Sequence, residues 1–182
     1  MMMKKPTRKN FALTLLCSAV LFTAACSSNE PPAEDITSMP VVHTFTLEDV
    51  EFDVGKSWVD STQTVQENSR LLLSDSGDNI MIQVSDITDY DGGFEEWAQA
   101  VKDNMFAEDS QREIIAEGSV EQSGHQGKSW IYSDTSGLGH VLRVIDIGED
   151  NGLILLGTTD SDLNEIENAI EAIDFSVVDT KS

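Results

Sequence analysis

The sequence predicts an α+β domain in which an antiparallel sheet of about six to seven strands carries two main helices packed on it. Three observations predict it. Short runs alternating apolar and polar residues are separated by Gly-, Asn- and Asp-bearing turns. Two segments instead carry apolar residues at helical spacing. The order is strands, helix, strands, helix, which places helices against an antiparallel sheet.

The elements follow in chain order. Thr44 to Leu47 and Val50 to Val54 alternate apolar with polar, as half-buried strands do. Arg70-Leu71-Leu72-Leu73 is a short apolar run that could be buried on both faces, and Asn79 to Val84 is a β-forming run entered through the turn Asp75-Ser76-Gly77-Asp78. Phe94, Trp97, Ala98, Val101 and Met105 then make one stripe at i, i+3, i+4, i+7 and i+11, with Glu95 and Glu96 at the positive end of the helix dipole. Four further strands are predicted over Ile114–Glu121, Lys128–Asp134, His140–Ile147 and Leu153–Thr158. The loops between them are Gly124 to Gly127, Ser136 to Gly139 and Gly148 to Gly152. A last helix is predicted to begin near Asp160, capped by Thr159-Asp160-Ser161-Asp162, with Leu163, Ile166, Ile170 and Ile173 on its buried face. Asp174 to Val178 closes the domain as an extended segment.

The chain ahead of this domain has a different character. Lys4, Lys5, Arg8 and Lys9 form a basic head, and Phe11 to Phe22 is apolar apart from Thr14 and Ser18. Small residues then precede Cys26. That is the layout of an export signal, and the apolar run is shorter than the roughly 20 residues of a comfortable bilayer span. Leu21-Phe22-Thr23-Ala24-Ala25-Cys26 resembles the signal peptides of bacterial lipoproteins, with Thr23 where Leu is commonest. The resemblance implies cleavage after residue 25 and transfer of diacylglycerol to the Cys26 thiol, with palmitate-type acyl chains anchoring the product. The expected organisation is therefore a signal peptide over 1–25, a flexible acidic, Pro-containing tether over 26–42, one globular domain over 43–178 and a short tail over 179–182. The expected location is the extracytoplasmic side of a cell membrane or outer membrane. Where two membranes exist, Ser27 is not the Asp that typically retains lipoproteins at the inner one.

Cleavage would remove four of the eleven Lys and Arg and none of the 33 Asp and Glu, taking the formal charge from −22 to −26. A surface of that sign repels phosphate backbones, so nucleic acid is excluded as a partner, whereas a cation or a basic protein would be attracted. Acidity also suits plain solvation. Cys17 leaves with the signal, so no disulfide and no CxxC site can form within the mature chain.

The order of elements resembles the PsbP-like fold of the photosystem subunit PsbP, the Ran-binding Mog proteins and bacterial lipoproteins of the LpqN kind. The residues carrying the likeness are Val54-Gly55-Lys56-Ser57-Trp58, the Phe94–Phe106 helix, the glycine turn and strand over Gly124–Tyr132, and the last helix leading into Ile173-Asp174-Phe175-Ser176. What it implies is a noncatalytic binding or assembly accessory, with an envelope protein as the expected partner and no cofactor.

Several constellations could point to other chemistry, and packing accounts for most of them. Gly-Lys-Ser-Trp occurs at 55–58 and 127–130, but a phosphate loop needs Gly where Val50 and Gln122 stand, so both read as turns entering strands whose Trp packs in the core. Asp75 and Asp78 in one loop, and Asp89 and Asp91 in another, are candidate cation ligands. An EF-hand alignment of the second loop on Gly92 fails, because Ile87 and Ala98 then fall at ligand positions. His43, His125 and His140 are far apart in sequence, His125 reads as a solvated loop residue, and no nucleophile elbow is present. A small-ligand or divalent-cation binder, with Trp58, Trp97 and Trp130 lining a cleft, is the alternative expectation. A hydrolase would require His125 or His140 beside a Ser or an acid in a concave pocket.

Overall fold

The computed structural model describes residues 44–61, 67–107 and 112–178; Cys26, the tether and His43 lie outside them. Ten strands and two helices occur in these residues. In chain order the strands are β1 (Thr44–Leu47), β2 (Val50–Asp53), β3 (Trp58–Asp60), β4 (Ser69–Ser74), β5 (Asn79–Asp86), β6 (Glu113–Gln122), β7 (His125–Ser133), β8 (Gly139–Gly148), β9 (Asn151–Thr159) and β10 (Asp174–Val177). Helix α1 (Gly93–Ala107) follows β5, and α2 (Leu163–Glu171) follows β9.

Seven strands form one antiparallel sheet in the order β3-β4-β5-β9-β8-β7-β6. The first, second and last strands form a separate sheet in the order β1-β2-β10, which the sequence did not distinguish from the main one. Its register puts Phe45, Phe52 and Phe175 side by side, with ring centroids 5.1 and 6.1 Å apart. Such a cross-strand aromatic row joins strands otherwise distant in the chain.

Alternation along the central strands sorts the core into two layers. Val141, Ile145 and Ile147 of β8, with Leu153 and Leu155 of β9, share one apolar cluster with Phe52 and Phe175 of the small sheet and Ile166 and Ile170 of α2. The opposite face, carrying Leu142, Val144, Ile154 and Leu156, lies on the α1 side. There Trp97 packs closely against Gly152, where a Cβ would stand 2.4 Å from the indole. Trp97, Ala98, Val101 and Met105 are buried as the stripe predicts, while Phe94 is only half-buried.

Four local expectations are corrected. The β6–β7 connection is the two-residue turn Ser123-Gly124, so His125 to Gly127 belong to β7. Gly127 is in mid-strand because a Cβ there would meet Val144 O at 2.4 Å, a close approach of chains and not a turn. The β8–β9 turn is likewise only Glu149-Asp150, both at positive φ, as in a tight I′ hairpin. The cap of α2 is Asp162, whose carboxylate accepts the Asn164 N–H at 2.9 Å, two residues past the expected start. Finally, β4 is not buried on both faces: Leu72 is enclosed, and Leu71 and Leu73 are half-exposed.

Candidate functional site

The four candidate cation ligands occupy opposite ends of β5, an eight-residue strand on the order of 25 Å long. Asp75 is exposed in the β4–β5 turn. Asp78 is buried there, with one carboxylate oxygen accepting the Ser76 Oγ–H at 2.7 Å and its backbone N–H donating to Ser74 Oγ. Its other oxygen, Oδ1, is buried without a hydrogen-bond partner. Asp89 and Asp91 are exposed in the turn that leads into α1. That turn is closed by Tyr90 N–H to Ile87 O and Gly93 N–H to Tyr90 O, while Glu96 accepts the Gly92 N–H. Among the described residues no three His, Cys, Asp or Glu side chains converge as a metal requires. Trp58, Trp97 and Trp130 are all buried packing residues and line neither of the two clefts described here.

The histidines are less isolated than their spacing implies. His125 is half-buried in β7, Nδ1 lies 3.0 Å from Asp146 O, and the ring packs on Phe175 at 5.5 Å. It is not a solvated loop residue. The strand register brings Tyr132, His140 and Thr158 into one row across β7, β8 and β9. His140 Nε2 stands 3.0 Å from Asp134 Oδ2, Nδ1 stands 3.1 Å from Thr158 Oγ1, and the ring stacks on Tyr132 at 4.7 Å.

Burial pushes the His140 pKa below its ordinary value against the opposing pull of Asp134, and the nearby Arg112 lowers it further. Burial raises the Asp134 carboxyl, but hydrogen bonds from Ser136, His140 and the Leu138 N–H outweigh it and hold the group at about 2. The two shifts conflict in one respect: attraction to Asp134 implies an imidazolium, while the lowered His140 implies a neutral ring at pH 7. Burial decides for the neutral ring. The carboxylate can only accept, so Nε2–H donates to Asp134 and Nδ1 is left to accept from the Thr158 hydroxyl. Acid, imidazole and hydroxyl are thus in line. Phe106 packs edge-on against Tyr132, Arg112 lies over the same ring, and neither cleft is lined by this trio.

A cleft of about 480 Å³ opens instead at the far end of the sheets, where the β1–β2 turn, the end of β5, the β8–β9 turn and the end of β10 meet. Its floor is apolar: Val50, Val84 and Ile147 are core residues, and Val177 and Val178 stand about 40% exposed. Its rim carries Glu48, Asp49, Asp86 and Glu149, and no Lys or Arg lines it among the described residues. Asp86 is held below the ordinary carboxylate range by the Thr88 hydroxyl and N–H, so it is ionised at neutral pH. A second groove, about 340 Å³, lies beside α1, where Lys128 is paired with Glu95. The cleft drew no sequence signal, because its lining comes from five separate segments.

No protein-family model and no curated protein sequence matches this chain. Solved structures do. The solution structure of cyanobacterial PsbP (CyanoP) from Synechocystis sp. PCC 6803 has a TM-score of 0.51 and 15% identity, covering 71% of this chain and 87% of that one. A crystal structure from Bacteroides thetaiotaomicron VPI-5482 has a TM-score of 0.52 and 11% identity over 79% of this chain. The chain spans about half, 51%, of the length of that protein. Identities this low establish the fold alone: the domain has a PsbP-like α+β fold, with two helices on a seven-stranded antiparallel sheet.

Proposed function

We propose that this chain is a cell-envelope lipoprotein that acts by binding: acyl chains on Cys26 hold a noncatalytic domain on the extracytoplasmic side, where it engages another envelope protein. The observation that carries the binding reading is the acidic-rimmed, apolar-floored cleft, the combination expected of a surface that recognises a basic partner. The anchor rests on the basic head, the apolar run and the small residues before Cys26. No helix among the described residues is long and apolar enough to cross a membrane; in this reading acyl chains on Cys26 supply the attachment. Capture of partners from native envelope by the lipidated chain tests the reading. Specific recovery at low salt that falls at high salt is expected, and recovery of nothing at either salt would contradict it.

A second reading, carriage of a small cationic ligand, is favoured by the cleft volume, which falls within the roughly 300–1,000 Å³ of small-molecule sites. Saturable binding of a small amine with no envelope partner would replace the first reading by this one.

A further inference from the structure

We infer that the cleft takes an extended Lys- or Arg-bearing segment of a protein partner, which adds to the outer edge of β10 as a fourth strand of the small sheet. The inference rests on the binding reading above and names the partner's chemistry.

The register of β10 supplies the hydrogen-bonding edge. Val178 N–H donates to Asp49 O at 2.7 Å, which makes 178 with 49, 176 with 51 and 174 with 53 the hydrogen-bonded pairs. The N–H and C=O groups of residues 175 and 177 therefore point away from β2. The Phe175 N–H is taken by Ser123 Oγ at 3.1 Å. Val177, which lines the cleft, presents its N–H and C=O on that same outer edge. The outward N–H and C=O of Val177 thus offer a template for strand addition at this end of β10.

The cleft supplies the specificity. Val177 and Val178 are two of the four large apolar side chains of the described residues that stand exposed. An incoming strand projects side chains alternately, so one set can meet this apolar floor while the other reaches the rim of Glu48, Asp49, Asp86 and Glu149. Among the described residues the cleft lining carries four carboxylates and no Lys or Arg, which favours Lys or Arg on that second set. A second copy of this chain would bring the same rim and a like net charge, and phosphate-bearing surfaces are repelled.

The test uses the lipidated chain in detergent micelles, isotopically labelled, titrated with the capped peptide acetyl-Lys-Val-Lys-Val-Lys-amide. Saturable shifts centred on the Val177, Val178, Gly148 and Asn151 amides are expected, with affinity at least tenfold weaker at 300 mM than at 50 mM salt. N-methylation of the peptide backbone, which removes donors from the incoming strand, should cost about tenfold or more. Val177→Pro should do the same from the protein side, since that N–H takes no part in the β2 ladder; unchanged far-ultraviolet dichroism checks that the fold persists. A peptide with Glu in place of Lys should not bind. Shifts that spread over the whole surface without saturating, or equal binding of the N-methylated peptide, would overturn the inference. An envelope partner recovered equally by wild type and Val177→Pro would overturn it too, while leaving the binding-module reading intact. Peptide binding as expected with no envelope partner would sink that reading and leave the strand site standing.

Discussion

Trp97 lies against Gly152 so closely that the pair behaves as one packing unit, and replacing the glycine is the sharpest test of how α1 sits on its sheet. A Cβ at 152 would fall 2.4–2.9 Å from three ring atoms. Gly152→Ala should therefore lower stability by about 1–3 kcal/mol, read from urea denaturation, with a change in the near-ultraviolet dichroism of the tryptophans. At His140 the relevant variable is pH. Its pKa is lowered in the folded chain, so the unfolded chain binds the proton first. The stability linked to the neutral ring is then fully present above the unfolded value near 6.5 and declines as pH falls below it. Asp134, held at about 2, loses its contribution only at more acidic pH, below its unfolded value of 3.8. Thermal melts of wild type and His140→Gln should accordingly show the wild-type advantage shrinking below pH 6.5. A difference that stays constant from pH 7.5 to 5 would contradict this. The sequence exposed single residues well where periodicity marked them, as with the α1 stripe. It misassigned Gly127 and His125 because a glycine that admits a neighbouring chain looks the same in sequence as one that makes a turn.

The last helix is tied to the sheet by a polar clamp that no periodic pattern announces. Gln122, at the end of β6, donates from Nε2 to the carbonyls of Ile170 and Ile173, both at 2.8 Å, and accepts from buried Arg143 at 3.0 Å. The Ile170 carbonyl, in the last turn of α2, also accepts the Ile173 N–H, while the Ile173 carbonyl lies just past the end of the helix. Arg143 also stands 4.0 Å from Glu167 and Glu171, which face it from α2. Gln122→Ala would take a donor from both carbonyls, leaving Ile170 its bond from the Ile173 N–H, and remove a partner of a buried guanidinium. Its expected cost is about 2–3 kcal/mol in urea denaturation. Combined with Arg143→Met it should cost less than the two single changes added, because the residues share one network. The other elements were largely legible. Strand alternation, both helices and the closing segment follow from local pattern, and burial of Ile166 and Ile170 follows from helical spacing, whereas Leu163 is half-buried and Ile173 is buried just past the helix. What local pattern lacks is partnership: nothing in Thr44–Asp53 says that these strands leave the main sheet to pair with β10. Long-range register decides that. The exposed edge strand β6 shows a related device, since a bulge between Ile114 and Ala116 and the carboxylates of Glu113, Glu117 and Glu121 discourage edge-to-edge pairing.

At the scale of the molecule, the cleft arises only when five segments spread from Glu48 to Val178 are brought together, which is why composition could indicate an acidic surface but not its concavity. The same holds for the Asp134–His140–Thr158 row, assembled by register across strands. Address is the reverse case: the expected signal and the Cys26 anchor rest on sequence alone and lie outside the described residues. In the proposed account these two parts work together. A lipid on Cys26 would confine the domain to the envelope surface, where the cleft would meet a basic strand. Cys26→Ala should release the protein from the membrane fraction without altering the fold of the domain, as judged by its thermal melt. The most direct test is the intact mass of the chain extracted from membranes. The account predicts a polypeptide beginning at residue 26 and heavier by diacylglycerol and acyl groups; an unmodified Cys26 thiol, or a chain still carrying residues 1–25, would contradict it.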